Sequence, residues 1–362
     1  MKEFLSQNYA FLGRNPKKTN PVADTALGFL KSRHLHFLLF GIIMCIVGYL
    51  AVKKMLPYSW SSAFATTFSY AIASVGFCLL MGYSGLASLG TGGFIGIGTY
   101  AVHYVMTEAG LPFFLALLIA LAVAVVIGVI VGFISLRIEG IYLVILTLGL
   151  SEILRNLYVV LEDRINLSKL VIFGRNIPRQ HAIYVVMVAL VVVMMLTHNI
   201  INSPTGRAML AMKNSTSAAQ AMGVSLMKYR LMAFVICTAY AALSGVMLMI
   251  TVRSAMASDG TGFYALITSL NILAAVIIGG FKSIWGTVFG TFVMYGMQTV
   301  LFNRIEFLAQ NPVIITFVSG VLVIVVVMFY PGGLAQLLLE AKGLFGKLRK
   351  KIREGRYGKD LG

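Results

Sequence analysis

The chain has 362 residues, 59% of them hydrophobic and only 11% charged, with a formal net charge of +17. Soluble domains carry about 25% charged residues, so this composition excludes an ordinary soluble domain and leaves room for one membrane domain. The surplus of Lys and Arg reads as the mark of a cytoplasmic membrane face, and no nucleic-acid partner is expected.

The first 34 residues are polar and basic, and form a segment of their own on the cytoplasmic side. The first apolar run begins near His34 without a small-residue cleavage site, which reads as a retained span and not a signal peptide. A bilayer core about 30 Å thick needs roughly 20 apolar helical residues. Ten such segments are predicted, at roughly 35–52, 61–81, 85–105, 111–136, 140–160, 181–200, 229–252, 263–280, 284–303 and 312–330. Residues 113–136 carry no charge, and neither do residues 313–330, VIITFVSGVLVIVVVMFY. Repetition along the chain implies an all-α polytopic membrane protein, because lipid demands that backbone amides be satisfied within a helix or a closed barrel. The runs lack the polar–apolar alternation of barrel strands. The third segment is Gly-rich and reads as a broken or re-entrant helix. The membrane domain is expected over 35–338, interrupted by a long polar stretch after the sixth segment, with a basic cytoplasmic tail over 339–362.

Charge sets the orientation. With both termini inside, 20 of the 29 basic residues fall on the cytoplasmic side and eight outside, and Arg155 is left within a span. The loop 161–180 runs against this bias with four basic residues.

Residues 82–100, GYSGLASLGTGGFIGIGTY, and 279–296, GGFKSIWGTVFGTFVMYG, share a Gly-Ser turn followed by glycines four apart, Gly92 with Gly96 and Gly286 with Gly290. Such spacing makes a smooth face for close helix packing along a translocation path. If segments two to five and seven to ten are the related halves, they run in opposite orientation, an inverted repeat of the kind transporters use.

No GxxxxGK[ST] occurs; the nearest approach, Gly280-Phe281-Lys282-Ser283, has Phe where Gly must precede Lys. The chain is therefore expected to bind no ATP itself, and no cofactor. Cys45, Cys78 and Cys237 all lie in apolar runs without CxxC spacing, and the five histidines show no metal spacing, so neither a zinc site nor a disulfide framework is indicated. No cluster of His, Asp or Glu suits an enzyme. Glu152 and Arg155 lie three apart on one face of the fifth segment. Ionisable groups in a span cost about 2.5 kcal/mol or more on insertion scales, which makes this pair a functional candidate beside its plainer reading as a mutual ion pair.

The most specific feature is the polar stretch SPTGRAMLAMKNSTSAAQAMGVSLMKYR, residues 203–230. It reads as Pro204 at a helix start, a short amphipathic helix, a flat surface of Ala218, Ala219 and Ala221, and Gly223 as a helix stop: a docking shape for a soluble partner. Here the sequence resembles the membrane subunits of ATP-binding-cassette importers, specifically the branched-chain amino acid permeases (LivM type). The resemblance covers most of residues 77–337. It is carried by GYSGLASLGTGGFIGIGTYA, LRIEGIYLVILTLGLSEILR, the polar stretch itself, SLNILAAVIIGGFKSIWGTVFG and FYPGGLAQLL, in that order. One departure is that Asn214, Ser215 and Thr216 stand where acids usually precede the paired alanines.

The resemblance implies a type II-like importer permease in the cytoplasmic (inner) membrane of a bacterium, forming half of a translocation pathway for branched-chain or similar amino acids. Urea or short amides, nucleosides and sugars are the alternative solutes, and an autonomous secondary transporter the alternative mechanism. The implied partners are two ATP-binding cassette subunits that bind the ATP, a homologous second permease chain, an extracytoplasmic solute-binding protein and membrane lipid. The coupling loop is placed at 203–228, with Ala218, Ala219 and Gly223 contacting the ATPase.

Overall fold

The computed structural model describes residues 33–53, 58–135, 140–167, 171–172, 175–258 and 262–297, with single positions between 314 and 333. The N-terminal segment up to residue 32, the tail over 339–362 and most of the tenth predicted segment lie outside the described residues.

The described parts of the other nine predicted segments are largely helical, although residues 85–90, at the start of the third, are not. In chain order the helices are α1 (Arg33–Val52), α2 (Tyr58–Leu79), α3 (Thr91–His103), α4 (Phe113–Ser135), α5 (Ile141–Glu162), α6 (Ala182–Asn202), α7 (Pro204–Asn214), α8 (Thr216–Ala221), α9 (Leu226–Val252), α10 (Leu266–Gly279) and α11 (Ile284–Thr291). One-turn π extensions continue α2 through Leu80–Ser84, α3 through Tyr104–Glu108 and α11 through Phe292–Gly296. Within the tenth predicted segment Ile314, Phe317, Gly320, Val321, Ile324, Val325 and Met328 are helical. By length and composition, five helices among the described residues could cross a membrane: α2 and α4, α5, α6 and α9, some with their flanking turns.

Helix α9 is the axis, with α2, α3 and α4 packed on it. Small residues let it approach its neighbours closely. Gly98 of α3 lies against the Ala242 carbonyl, and Gly245 of α9 against the Ile95 carbonyl, so each glycine makes room for the other helix's backbone. Helices α10 and α11 meet in the same manner through Gly279, Gly286 and Gly290. Large apolar side chains point the other way: α4 exposes Leu118, Val126, Ile130 and Ile134 while burying Ala116, Ala120 and Ala124.

The two ends of the bundle differ. At one end three-residue strands close the structure: β1 (Arg164–Asn166) pairs antiparallel with β4 (Ser254–Met256), Ile165 opposite Ala255. Nearby β2 (Val171–Ile172) pairs with β3 (Arg175–Asn176). Asp163 accepts from the Ser258 amide at 2.7 Å and its hydroxyl at 2.9 Å. Arg253 caps α9 in a left-handed conformation (φ 68°) and donates to the Ile177 carbonyl at 2.7 Å, while Arg179 donates to the Thr251 carbonyl at 2.7 Å. The opposite end carries α7 and α8, the starts of α1 and α11, and Lys282. There the Phe37 ring stacks on Trp285 at 5.3 Å, and the Tyr83 hydroxyl donates to the Lys282 carbonyl at 3.1 Å. Among the described basic residues, Arg164, Arg179 and Arg253 lie at the strand-bearing end, and Arg207, Lys213 and Lys282 at the other.

Candidate functional site

The centre of the bundle is α3, the Gly-rich segment. Residues 85–90 before it are not helical, and every α3 residue except Ala101 is buried. A helix that starts inside a bundle leaves its first N–H groups without intrahelical acceptors. Neighbouring helices supply them. The Gly92 amide donates to Ser269 Oγ of α10 at 2.8 Å, and the Gly93 amide to Ser151 Oγ of α5 at 2.9 Å. The Leu89 amide in the preceding strap donates to Thr147 Oγ1 of α5 at 3.0 Å. The Tyr158 hydroxyl returns to the Gly93 carbonyl at 2.8 Å, and Thr99 meets the Tyr264 hydroxyl at 2.9 Å. Tyr100, Tyr158 and Tyr264 form a triangle of rings with centroids 4.5–5.8 Å apart. His103, at the end of α3, bonds Glu162 at 3.0 Å beside β1.

The expected glycine pairs are placed as follows. Gly92 faces α10, where a Cβ would come within 3.1 Å of the Ala265 carbonyl and Ser269 Oγ. Gly96 faces α5, directly against the Tyr158 ring. These two, four apart, touch different helices. The pair sharing a neighbour is Gly93 and Gly96, three apart, because α5 crosses α3 along that row: Gly93 lies against Ser151 and Leu154. Gly290 faces Ala275 and Gly279, and the Gly286 carbonyl faces Gly279.

Glu152 and Arg155 pair with each other on one shoulder of α5. Arg155 Nε donates to Glu152 Oε1 at 2.9 Å, and Nη2 donates to the same oxygen. Their side chains remain 43% and 23% exposed, respectively, on a helix surface whose other exposed groups are apolar apart from Asn156 and the terminal Glu162.

The stretch 203–228 forms a helical corner. Ser203 caps α7 with Pro204 following at the first helical position, and Gly206 fits against the Ile200 and Ile201 carbonyls, a corner too tight for a side chain. Ser215 caps α8 through the Ala218 amide at 3.3 Å. Helix α8 ends at Gly223, φ 78°, with Val224 N–H bonded to the Ala219 carbonyl at 3.0 Å and Gly223 N–H to the Gln220 carbonyl at 2.9 Å. That pattern is a Schellman stop, which favours Gly at this position. The surface expected from Ala218, Ala219 and Ala221 is divided: helical periodicity turns Ala219 inward, while Ala218 and Ala221 stay exposed. The outermost apolar group is Met222, 84% exposed, which composition gave no reason to single out. The corner is tied to the bundle by Lys213, whose ammonium donates to the Met81 carbonyl at 3.1 Å and the Gly82 carbonyl at 2.8 Å, just before the strap leading into α3. Burial, with the nearby Lys282 adding to it, pushes the Lys213 pKa below its ordinary value.

The buried Gly-rich helix is thus held by side-chain caps, and the segment before it is bonded by Lys213 to an exposed helical corner. Comparison with known proteins decides the family: the model described as "Branched-chain amino acid transport system / permease component" matches residues 59–327, nearly the whole described bundle. The chain belongs to this family of permeases. It is 27% identical over 301 residues to the high-affinity branched-chain amino acid transport system permease protein LivM of Escherichia coli strain K12, covering 74% of this chain and 68% of that one. Identity to the LivM protein of Salmonella typhimurium strain LT2 is also 27%, over 248 residues, 60% of this chain and 57% of that one. A shorter match, 27% over 125 residues, covers 34% of this chain and 36% of the probable ABC transporter permease protein YphD of E. coli K12. No solved structure matches the chain. The family members are permease components and not enzymes.

Proposed function

We propose that this permease is the membrane subunit of an ATP-driven importer in a bacterial inner membrane, forming half of the path for branched-chain or similar amino acids. ATP is bound by two cassette subunits and not by this chain. A homologous permease chain completes the path, and an extracytoplasmic binding protein delivers the solute. The chain crosses the membrane ten times with both termini cytoplasmic, as two inverted halves. In support, α3 and α10 each follow a non-helical stretch, the two stretches come from opposite ends of the bundle, and the two helix starts meet through Gly92 and Ser269.

The observation that carries this reading is the family match running through the α7–α8 corner, together with the corner's form: an exposed, Gly-stopped helix fixed by Lys213 to the segment entering α3. Its function is to receive the cassette subunit's movement. The test is the full complex reconstituted in vesicles. Leucine uptake should require ATP, cassette subunits and binding protein together; movement of leucine by this chain alone down a gradient would make it an autonomous carrier and overturn the reading. Gly223→Asp should leave the complex assembled while uncoupling ATP hydrolysis from uptake, because an aspartate at positive φ strains the helix stop and adds charge beside Met222. In a cysteine-free background, cysteines at Lys213 and Lys350 should resist an impermeant thiol reagent added outside cells, and those at Lys54 and Asn176 should react.

A further inference from the structure

Glu152 sits at the midpoint of α5, halfway between Ile141 and Glu162, with Arg155 one turn further along. The pair is unlike the other polar groups of this bundle level. Ser151 and Thr147, on the buried face of the same helix, are consumed in holding α3 and its strap. Glu152 and Arg155 hold no other element. Both guanidinium bonds fall on one oxygen, Oε1, so Glu152 Oε2 and Arg155 Nη1 make no hydrogen bond among the described residues. The shoulder therefore presents, side by side and half-exposed, one free carboxylate oxygen and one free guanidinium NH2 group. Held against lipid, such a pair carries the cost of intramembrane charge without return. Facing an aqueous path, it matches a solute that bears an ammonium and a carboxylate on one carbon.

We propose that Glu152 and Arg155 form a way-station for the α-amino-acid zwitterion in the translocation path: Arg155 Nη1 donates to the solute carboxylate and Glu152 Oε2 accepts from its ammonium. The existing ion pair stays intact, so the station neutralises both solute charges without exposing either of its own. It selects for zwitterions over urea, sugars and nucleosides, none of which carries both charges. This rests on the amino acid permease reading above.

The test separates this role from a purely structural ion pair. A partly exposed ion pair is typically worth only about 0–1 kcal/mol to stability, so uncharged groups of similar shape can replace it at little cost. A structural pair thus predicts that Glu152→Gln combined with Arg155→Gln transports like the parent. The way-station predicts a loss of about tenfold or more in leucine delivered per ATP hydrolysed by the assembled complex, because charge-assisted bonds to the solute are gone. Parent-like delivery by the double variant would overturn the proposal. A second measurement does not depend on that variant folding. In a background lacking the three native cysteines, Leu148→Cys and Val159→Cys place thiols on the same shoulder, one turn to either side. A small water-soluble thiol reagent should modify them in the full complex, and millimolar leucine should slow the reaction, whereas 4-methylpentanoate, with no ammonium, and isopentylamine, with no carboxylate, should not. Thiols inert in both nucleotide-bound and nucleotide-free complexes, or protection equal for all three compounds, would also overturn it. Should the parent complex fail to move leucine with ATP, the functional reading falls instead.

Discussion

Helices α3 and α4 are neighbours in sequence and in space, yet they are built on opposite plans. Helix α4 wears its bulk outward: Phe114, Leu118, Val126, Ile130, Phe133 and Ile134 are exposed, and the row Ala116, Ala120, Ala124, Gly128 and Gly132 is buried. Helix α3 has almost no outward side, and its glycines admit backbone from α9, side chains from α5 and hydrogen-bonding serines from α5 and α10. In lipid the hydrophobic effect does not distinguish a leucine facing a tail from one facing a helix, so close approach and polar satisfaction decide what lies inside. Hydropathy therefore marks the periphery of this permease, and small and hydroxylated residues mark its centre.

The largest test of that contrast is at the α3–α9 crossing. Gly98→Leu or Gly245→Leu puts carbon where the opposing backbone carbonyl now sits. Overpacking normally costs about 1–3 kcal/mol, and here backbone must move instead of a rotamer, so a loss above about 3 kcal/mol is expected. The readout is failure to recover monodisperse protein in detergent. Recovery of normal protein would mean the two helices do not cross at these glycines. A smaller effect is expected from Ser151→Ala or Ser269→Ala, each of which strands a buried amide of α3 without its acceptor, at about 1–3 kcal/mol. Lower thermal stability and faster amide exchange at Gly92 and Gly93 would register it. The smallest belongs to the outward face of α4, where Val126→Ile and Ile130→Val should stay within about 0.5 kcal/mol by thermal unfolding in detergent. A large change there would mean that another chain covers this face.

These contrasts were partly legible in the sequence. Among the described residues, helices stand where the apolar runs place them, because length and hydropathy are local properties. The Glu152–Arg155 pair and the Gly223 stop were legible for the same reason, each following from spacing within one turn or two. The strands β1 and β4 were not: triplets give no periodic signal, and their partners are far apart in sequence. Nor were the serines capping α3, since a Ser in an apolar run looks the same whether it bonds its own helix or another. Glycine spacing showed that α3 packs closely without showing against what; the row facing α5 is Gly93 with Gly96, and Gly92 turns to α10. At the corner, the alanine run concealed that Ala219 faces inward and Met222 outward.

The β1–β4 pairing also sets an order for biogenesis. Residue Arg164 leaves the ribosome roughly ninety residues before its partner Met256, about 5–20 s earlier at ordinary synthesis rates. Through that interval Ile165, fully buried in the finished fold, has no strand to cover it. Helices α6 and α9 and the corner between them must be laid down before this end of the molecule closes. The nascent chain thus passes through a stage with several helices made and its sealing strand unpaired, when a chaperone or a protease on that side would find its opening.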